Sequence, residues 1–177
     1  MRLGLIRHFK VNNIPSKFMT SKKFTEWVDV YDNADVIQNE IDLSDIEWNQ
    51  CYSSDLPRAI NTAKIIYKGE IIKTEELREV PIAPILTTNL KLPYIFWSLT
   101  GRLAWSFSHK SQAEGKKETK KRINEFLDSI ENRKELNILI VCHGFFIHSF
   151  QKELVKRGFK GDTINGAKNG KLYVFEK

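Results

Sequence analysis

Cysteine, proline and long hydrophobic runs are scarce in this sequence. Its 177 residues include 2 cysteines and 5 prolines, which excludes a disulfide-rich scaffold and a proline-rich disordered chain. No stretch approaches the ~18 consecutive apolar residues that a membrane-spanning helix needs. The first apolar run is short and is followed by Arg7 and His8, so it lacks the pattern of a secretory signal. We therefore expect a cytoplasmic protein with no membrane partner.

The two cysteines, Cys51 and Cys142, lie in apolar stretches that are typical of buried strands. We expect both to be reduced thiols within the core. No cysteine or histidine lies at metal-ligand spacing from either of them, so we expect no metal site and no cofactor. The chain length suits a single domain over residues 1–177 with a sizeable core.

The net charge is +6, which by itself would suit a nucleic-acid partner. Much of the excess lies in one basic run over residues 116–122, which opens an amphipathic helix and is typical of a solvated helix face. We therefore expect no nucleic-acid partner. A positive field would also favour the approach of anionic phosphoesters to a pocket.

The hydrophobic pattern predicts alternating strands and helices. Strands are predicted over 2–7, 47–53, 70–74, 137–142 and 172–175, and helices over 24–31, 56–67, 116–131 and 145–157. Asp55 is a candidate N-cap of the second helix. The run at 137–142 has no polar alternation, which is typical of a parallel strand covered on both faces. The sequence therefore predicts an α/β fold with a mostly parallel central sheet and helices on both faces.

Residues 80–115 interrupt this alternation and are rich in proline and aromatic residues, including Trp97 and Trp105. One interpretation is a helical hairpin that buries its aromatic side chains on the core. The other is a helical insertion that forms a lid over an active site and shapes the substrate pocket. The two interpretations are compatible.

Three short segments place a cationic or imidazole side chain just after a predicted strand. Arg7 and His8 follow the first strand, Arg58 follows the second in the motif at 53–59, and His143 follows the strand at 137–142. The carboxyl ends of parallel strands share one edge of a sheet, so these groups can converge there. Two guanidinium groups and two imidazoles suit a phosphoryl group, and a neutral His8 would also be a nucleophile.

In order and spacing, these segments resemble the histidine phosphatase superfamily, which includes phosphoglycerate mutase-like proteins and many phosphomonoesterases. The resemblance implies that His8 forms a phosphohistidine. It also implies that Arg7, Arg58 and His143 clamp the phosphoryl oxygens and that no metal is required. His109 and His148 match no motif, and we expect them to be structural or exposed to solvent.

The resemblance also indicates a general acid and base that protonates the leaving alkoxide and later activates water. In the family this carboxylate often follows a Leu-x-Glu pattern after the third strand, which Glu79 fits. Glu75 and Glu76 are alternatives. Glu114 partly matches the family's Gly-Glu-Ser segment, although an ordinary helix start explains it equally well.

Two positions depart from the family pattern. Phe9 stands where the family usually has glycine after the Arg-His pair, and it could narrow the pocket or remove an amide contact to phosphate. The family's phosphate-binding asparagine would fall at Ile14, so Asn13 or Asn12 is the candidate if the loop is shifted.

The sequence thus predicts a phosphomonoesterase of the histidine acid phosphatase type. Its expected partner is a phosphorylated small-molecule substrate or a phosphoprotein. Phosphoglycerate mutase-type phosphoryl transfer is the enzymatic alternative. A protein that binds a phosphorylated ligand without turnover is the alternative from another class, and the retention of all four site residues argues against it.

Overall fold

A computed structural model of the chain describes residues 1–133 and 136–177. Within these residues the strands are β1 (Arg2–Arg7), β2 (Phe18–Met19), β3 (Gln50–Ser54), β4 (Ile71–Thr74), β5 (Leu92–Pro93), β6 (Asn137–Cys142), β7 (Lys160–Gly161) and β8 (Leu172–Glu176). The α-helices are α1 (Ser21–Asn33), α2 (Pro57–Ile66), α3 (Tyr94–Ser106), α4 (Lys116–Glu131) and α5 (Gly144–Lys156), and a 3-10 turn follows β4 at Glu75–Leu77.

Six strands form the central sheet in the order β4-β3-β6-β1-β8-β7. β4, β3, β6 and β1 run parallel, whereas β8 and then β7 pair antiparallel at the other side. The predicted mostly parallel sheet is confirmed. The carboxyl ends of its four parallel strands lie along one edge, which is where ligands bind in open α/β sheets.

Neighbouring side chains of the parallel strands point to opposite faces of the sheet and join different core clusters. Leu5 and Ile140 pack with α4 and α5, whereas Ile6 and Val141 pack with Ala59 of α2. This arrangement explains why the strand at 137–142 carries no polar alternation, because both of its faces are covered.

A third apolar cluster joins α1 to α3. Phe24 of α1 and Trp97 of α3 are both 0% exposed and form its centre with Met19 of β2. The Trp97 indole Nε1 donates a hydrogen bond of 2.9 Å to the Met19 carbonyl oxygen, and β2 pairs with β5. We call this unit of α1, α3 and the β2-β5 ribbon the cap.

The segment at 80–115 contains one α-helix, α3, so the interpretation as a helical hairpin is wrong. Its two tryptophans belong to different cores. Trp97 is buried in the cap, whereas Trp105 packs in the main core and donates to Thr119 Oγ1 over 2.9 Å. Whether the segment acts as a lid stays a prediction.

The prediction that Asp55 caps α2 is wrong. The N-cap residue is Leu56, and no side chain caps the helix. The Asp55 carboxylate instead pairs with the Arg78 guanidinium. Pro57 at the start of α2 has no N–H group, so the helix has one fewer donor that needs a cap.

Other elements agree closely with the sequence pattern. α4 and β6 have the predicted bounds, and β3 begins three residues later than expected. Cys51 and Cys142 are buried free thiols, and burial raises the pKa of Cys51 to about 12. Among the described residues, no helix has both the length and the apolar character needed to cross a membrane.

Candidate active site

The sheet edge brings together the two histidines that the sequence singled out. His8 follows β1 and His143 follows β6, the two strands are paired, and the ring centroids are 5.2 Å apart. His8 is 2% exposed and His143 is 0% exposed. Arg58, in the first turn of α2, is 1% exposed, so all three groups are removed from bulk water.

Arg7 reaches the same place through a gap that Gly144 leaves. The Arg7 Nη1 atom donates to the Ala167 carbonyl oxygen over 2.9 Å. A Cβ atom on Gly144 would lie 2.9 Å from the Arg7 guanidinium carbon, so any side chain there would displace the guanidinium. Glycine after His143 therefore lets Arg7 lie against the N-terminus of α5.

One hydrogen bond fixes the protonation pattern of His8. The Nδ1 atom lies 2.7 Å from the Phe9 carbonyl oxygen, which can only accept, so Nδ1 carries the proton and Nε2 keeps its lone pair. Burial lowers the pKa of His8 to about 3, helped by Arg58 and Arg7 and opposed by the Phe9 carbonyl. A neutral imidazole with a free Nε2 is the form that can attack phosphorus.

His143 is also neutral without a ligand, because burial holds its pKa well below the ordinary value and the charges of Arg58, Arg7 and Arg122 add to that effect. Neither ring nitrogen of His143 has a hydrogen-bond partner. A buried polar group without a partner costs stability unless a ligand satisfies it.

Further buried donors near His143 lack partners as well. They are Arg7 Nε, Arg58 Nε, Asn13 Nδ2 and Trp27 Nε1. Arg7, Arg58 and Asn13 all line the same cavity, and Asn13 is the residue that replaces the family's asparagine in our prediction. Unpartnered N–H donors from two arginines, a histidine and an amide define a site that is complementary to an oxyanion.

Glu79 lies across the site at the N-terminus of α5. Its Oε1 atom accepts N–H bonds of 2.9 Å from Val80 and Phe146, and its Oε2 atom accepts one of 3.2 Å from Phe145. The carboxylate therefore satisfies donors that the first turn of α5 leaves open. Oε2 holds the weaker bond and is the oxygen that is freer to exchange a proton.

The alternative carboxylates are engaged with other groups. Glu114 forms a two-pronged ion pair with Arg122 at 2.9 and 3.0 Å, and Glu75 pairs with Arg78 over 3.2 Å. Glu76 does not line the cavity. Glu118 accepts the Gly115 N–H and so acts in the capping of α4, as an ordinary helix start would require.

A cavity of about 970 Å³ opens in front of these groups. Arg7, Arg58, Asn13 and Gly144 line it, whereas His8 and His143 are buried and are next to Arg7 and Gly144 in the chain. Lining residues that the sequence analysis did not assign to the site are Trp27, Tyr31 and Asp32 of α1, Tyr94 and Arg102 of α3, and His148 of α5. His148 is half-buried and lines the cavity, and the expectation that it is structural or exposed to solvent stays a prediction. The helical stripe of α1 gave a signal for Trp27 and Tyr31, and the aromatic segment at 80–115 gave one for Tyr94.

Phe9 does not narrow the cavity, because its side chain is 1% exposed and packs away from it. Its ring lies against Gly170, where a Cβ atom would be 2.7 Å away and where φ is +62°. The Phe9 N–H donates to Thr62 Oγ1 over 2.9 Å. Phe9 thus removes one backbone donor from the site, and Gly170 provides the room for its ring.

Within residues 1–133 and 136–177, no group of three or more histidine, cysteine, aspartate and glutamate side chains is arranged to hold a metal ion. The positive charge that faces the cavity comes from arginine side chains. Such fixed cations can stabilise phosphoryl oxygens directly.

A family model and several solved structures match this chain. Residues 39–176 match the family model of the histidine phosphatase superfamily (branch 1). The match begins after α1, so α1 lies outside the matched range. A search of curated protein sequences finds no match to this chain.

Solved structures of similar fold include phosphoglycerate mutase from Bacillus anthracis str. Sterne, with a TM-score of 0.65, 20% identity, and coverage of 98% of this chain and 86% of that one. Phosphoserine phosphatase from Entamoeba histolytica, solved with 3-phosphoglyceric acid, has a TM-score of 0.63, 20% identity, and coverage of 99% and 90%. Mycobacterial glucosyl-3-phosphoglycerate phosphatase has a TM-score of 0.61, 17% identity, and coverage of 98% and 88%.

Proposed function

Because this chain belongs to the histidine phosphatase superfamily (branch 1), we propose that it is a phosphomonoesterase that acts through a phosphohistidine on His8. The observation that carries the proposal is the set of buried, unpartnered donors beside a neutral His8 whose Nε2 is free. Only an anion with several acceptor oxygens satisfies all of these donors together. The volume of the cavity suits a phosphorylated small molecule.

The reaction has two displacements at phosphorus. In the first, His8 Nε2 attacks phosphorus, the bond from phosphorus to the leaving oxygen breaks, and Glu79 donates a proton to that oxygen. In the second, Glu79 takes a proton from a water molecule, the water oxygen attacks phosphorus, and the bond from phosphorus to Nε2 breaks. Arg7, Arg58, His143 and Asn13 hold the phosphoryl oxygens through both steps.

Glu79 must hold a proton when the leaving group departs. Its Oε2 atom can carry that proton with the loss of only the 3.2 Å bond from Phe145, while both 2.9 Å bonds to Oε1 remain. Glu79 also lines the cavity, whereas Glu76 does not. These features support Glu79 as the acid and base.

The test is to trap the phosphorylated protein with a substrate whose phosphoryl group is radiolabelled. We expect an acid-labile, base-stable label in the native protein and none in His8→Ala. His109→Ala, which changes an exposed histidine outside the cavity, should keep both the label and the turnover. Arg58→Ala and His143→Ala should each lower turnover roughly 10²–10³-fold, the usual cost of losing one preorganised donor.

Turnover near the native rate in His8→Ala would contradict the phosphohistidine. Transfer of the label to an added alcohol acceptor in preference to water would indicate the mutase alternative. Stable phosphate-ligand binding with no label and no turnover would indicate a protein that only binds its ligand.

A further inference from the structure

Asp32, the penultimate residue of α1, shares the guanidinium of Arg58 with the proposed phosphate site. Both its Oδ1 atom and its main-chain carbonyl oxygen accept from Arg58 Nη1, at 2.9 and 3.0 Å. The Nε atom of the same buried guanidinium has no partner. Arg58 therefore presents one atom to a carboxylate and another to the phosphoryl group that we propose it binds.

The structure holds Asp32 in this place. Phe24 anchors α1 in the cap, and the Tyr31 ring lies 5.1 Å from the Arg58 guanidinium. Just beyond α1 the chain is tied to the loop after β1, since Val36 bridges Val11 and the Ile37 N–H bonds a carbonyl oxygen in that loop over 2.8 Å. Movement of α1 away from Arg58 would break these contacts, so they keep the backbone at Asp32 beside Arg58.

A dianionic phosphoryl group and a carboxylate on one guanidinium repel each other, and one shared proton relieves the repulsion. The charged groups that face Asp32 are Arg58 on α2, Arg102 on α3, Asp29 on its own helix and Glu79 beyond the 3-10 turn. Burial raises the pKa of Asp32, Arg58 opposes that rise, and the charges of Glu79 and Asp29 add to it. A second anion on Arg58 acts in the same direction as Glu79 and Asp29.

We propose that Asp32 couples ligand binding at the phosphate clamp to the uptake of one proton. The proton lies between the Asp32 carboxyl group and a phosphoryl oxygen and turns a repulsive pair into a hydrogen bond. The inference rests on the proposed function, because it takes Arg58 to hold the phosphoryl group. It makes Asp32 a residue that sets the affinity of the clamp and its dependence on pH.

The direction of the pH dependence follows from the number of protons that the free and bound states hold. The complex holds one proton more than the free protein and free dianion, so the dissociation constant rises as pH rises. An amide at position 32 needs no added proton, because it can donate an N–H group to the phosphoryl oxygen. The ratio of dissociation constants between native protein and Asp32→Asn should therefore grow by up to about tenfold per pH unit.

The experiment is titration calorimetry with inorganic phosphate in pairs of buffers of different ionisation enthalpy, at several values between pH 5.5 and 8. At pH 8 we expect the native protein to take up about one proton more than Asp32→Asn does, and Asp32→Asn to bind at least tenfold more tightly. Glu26→Gln is the matched control, because it removes a charge from the same helix at a side chain that pairs with Lys23 and contacts neither Arg58 nor Asp32. It should behave as the native protein does. Asp32→Ser should shift both quantities in the direction of Asp32→Asn.

Two results would overturn the inference. Equal proton uptake in native protein and both Asp32 variants would show that Asp32 does not take part. Tighter binding by the same factor at every pH, with no change in proton uptake, would show that Asp32 merely blocks the site and withdraws. Failure of the proposed function would look different, since phosphate would then bind equally well to Arg58→Ala and to native protein.

Discussion

At the scale of single residues, the two site histidines are neutral groups that are buried away from water beside arginine side chains. His8 and His143 both have lowered pKa values, with burial as the largest cause in each case. Arg58 and Arg7, which lower both pKa values further, are groups proposed to bind phosphate. The arrangement keeps the proposed nucleophile, His8, unprotonated at neutral pH. It also leaves the arginine charges available to attract a bound anion.

The same neutrality predicts how stability depends on pH. The pKa of His8 is about 3 in the folded state, below the value near 6.5 expected when unfolded, so the unfolded chain binds more protons between these values. The contribution of His8 to the free energy of unfolding is fully present above pH ~6.5 and is lost as pH falls toward 3. The free energy of unfolding of the native protein should rise with pH over this range. His8→Gln should reduce the slope of that rise by up to about 1.4 kcal/mol per pH unit.

Urea unfolding between pH 4.5 and 6.5 measures this slope. His109→Gln, at an exposed position, is the control and should leave the slope as it is in the native protein. Equal slopes in all three proteins would mean that His8 titrates alike in the folded and unfolded states.

At the scale of elements, the N-terminus of α5 organises the site. His143 is its N-cap residue, Gly144 admits Arg7, and the N–H groups of Phe145 and Phe146 hold Glu79. The loop after the 3-10 turn carries Glu79, and Arg122 of α4 binds this loop through the carbonyl oxygens of Glu76 and Arg78. One helix end therefore positions both the clamp and the proposed acid.

The role of Glu79 can be tested by substrate choice. Glu79→Gln should lower turnover of alkyl phosphates by roughly 10²–10⁴, the scale of general acid catalysis. Phosphorylation of His8 by an aryl phosphate should survive, because a phenolate of low pKa leaves without much protonation. Dephosphorylation should then become slow, since water loses its base.

Rapid-quench measurement of phosphohistidine with both substrate types provides the readout. Glu76→Gln is the matched control, because Glu76 lies on the adjacent 3-10 turn but does not line the cavity. Losses of equal size for alkyl and aryl substrates would instead assign the acid role to Glu75 or Glu114.

At the scale of the whole molecule, the sheet edge carries the residues proposed to bind phosphate, and the cap forms one wall of the cavity. Trp27 and Tyr31 of α1 and Tyr94 of α3 form much of that wall, and their rings pack against one another at 5.0–5.2 Å. The cap has its own apolar cluster, separate from the two clusters that cover the sheet. We therefore expect the cap to set which substrates the cavity admits, while the sheet holds the groups proposed to react.

The cationic clamp also predicts that turnover needs no divalent metal. Arg7 and Arg58 can neutralise the phosphoryl oxygens themselves, a task that metal ions perform in other phosphoryl-transfer enzymes. Initial rates with p-nitrophenyl phosphate should stay unchanged after chelation with EDTA. Activity that disappears with the chelator and returns with magnesium would contradict this mechanism.

The sequence by itself predicted the fold class and placed four site residues at one edge of the sheet. Arg7, His8 and His143 lie at the ends of apolar runs, and Arg58 follows β3 in the first turn of α2. The ends of parallel strands must meet at one edge. Local periodicity was also sufficient for α4, which has the predicted bounds. These features depend on short-range pattern, which the sequence displays directly.

The tertiary structure decided the contacts that join distant segments. Asp32 reaches Arg58 across 26 residues, and Glu79 reaches the Phe145 N–H group across 66. No periodicity encodes such pairs, because they depend on how α1 and α5 dock on the sheet. For the same reason Asp55 was expected to cap α2 from its local position, but Arg78, brought near by β4, binds it instead. Local sequence thus determined which groups stand at the sheet edge, and packing determined which partners they meet there.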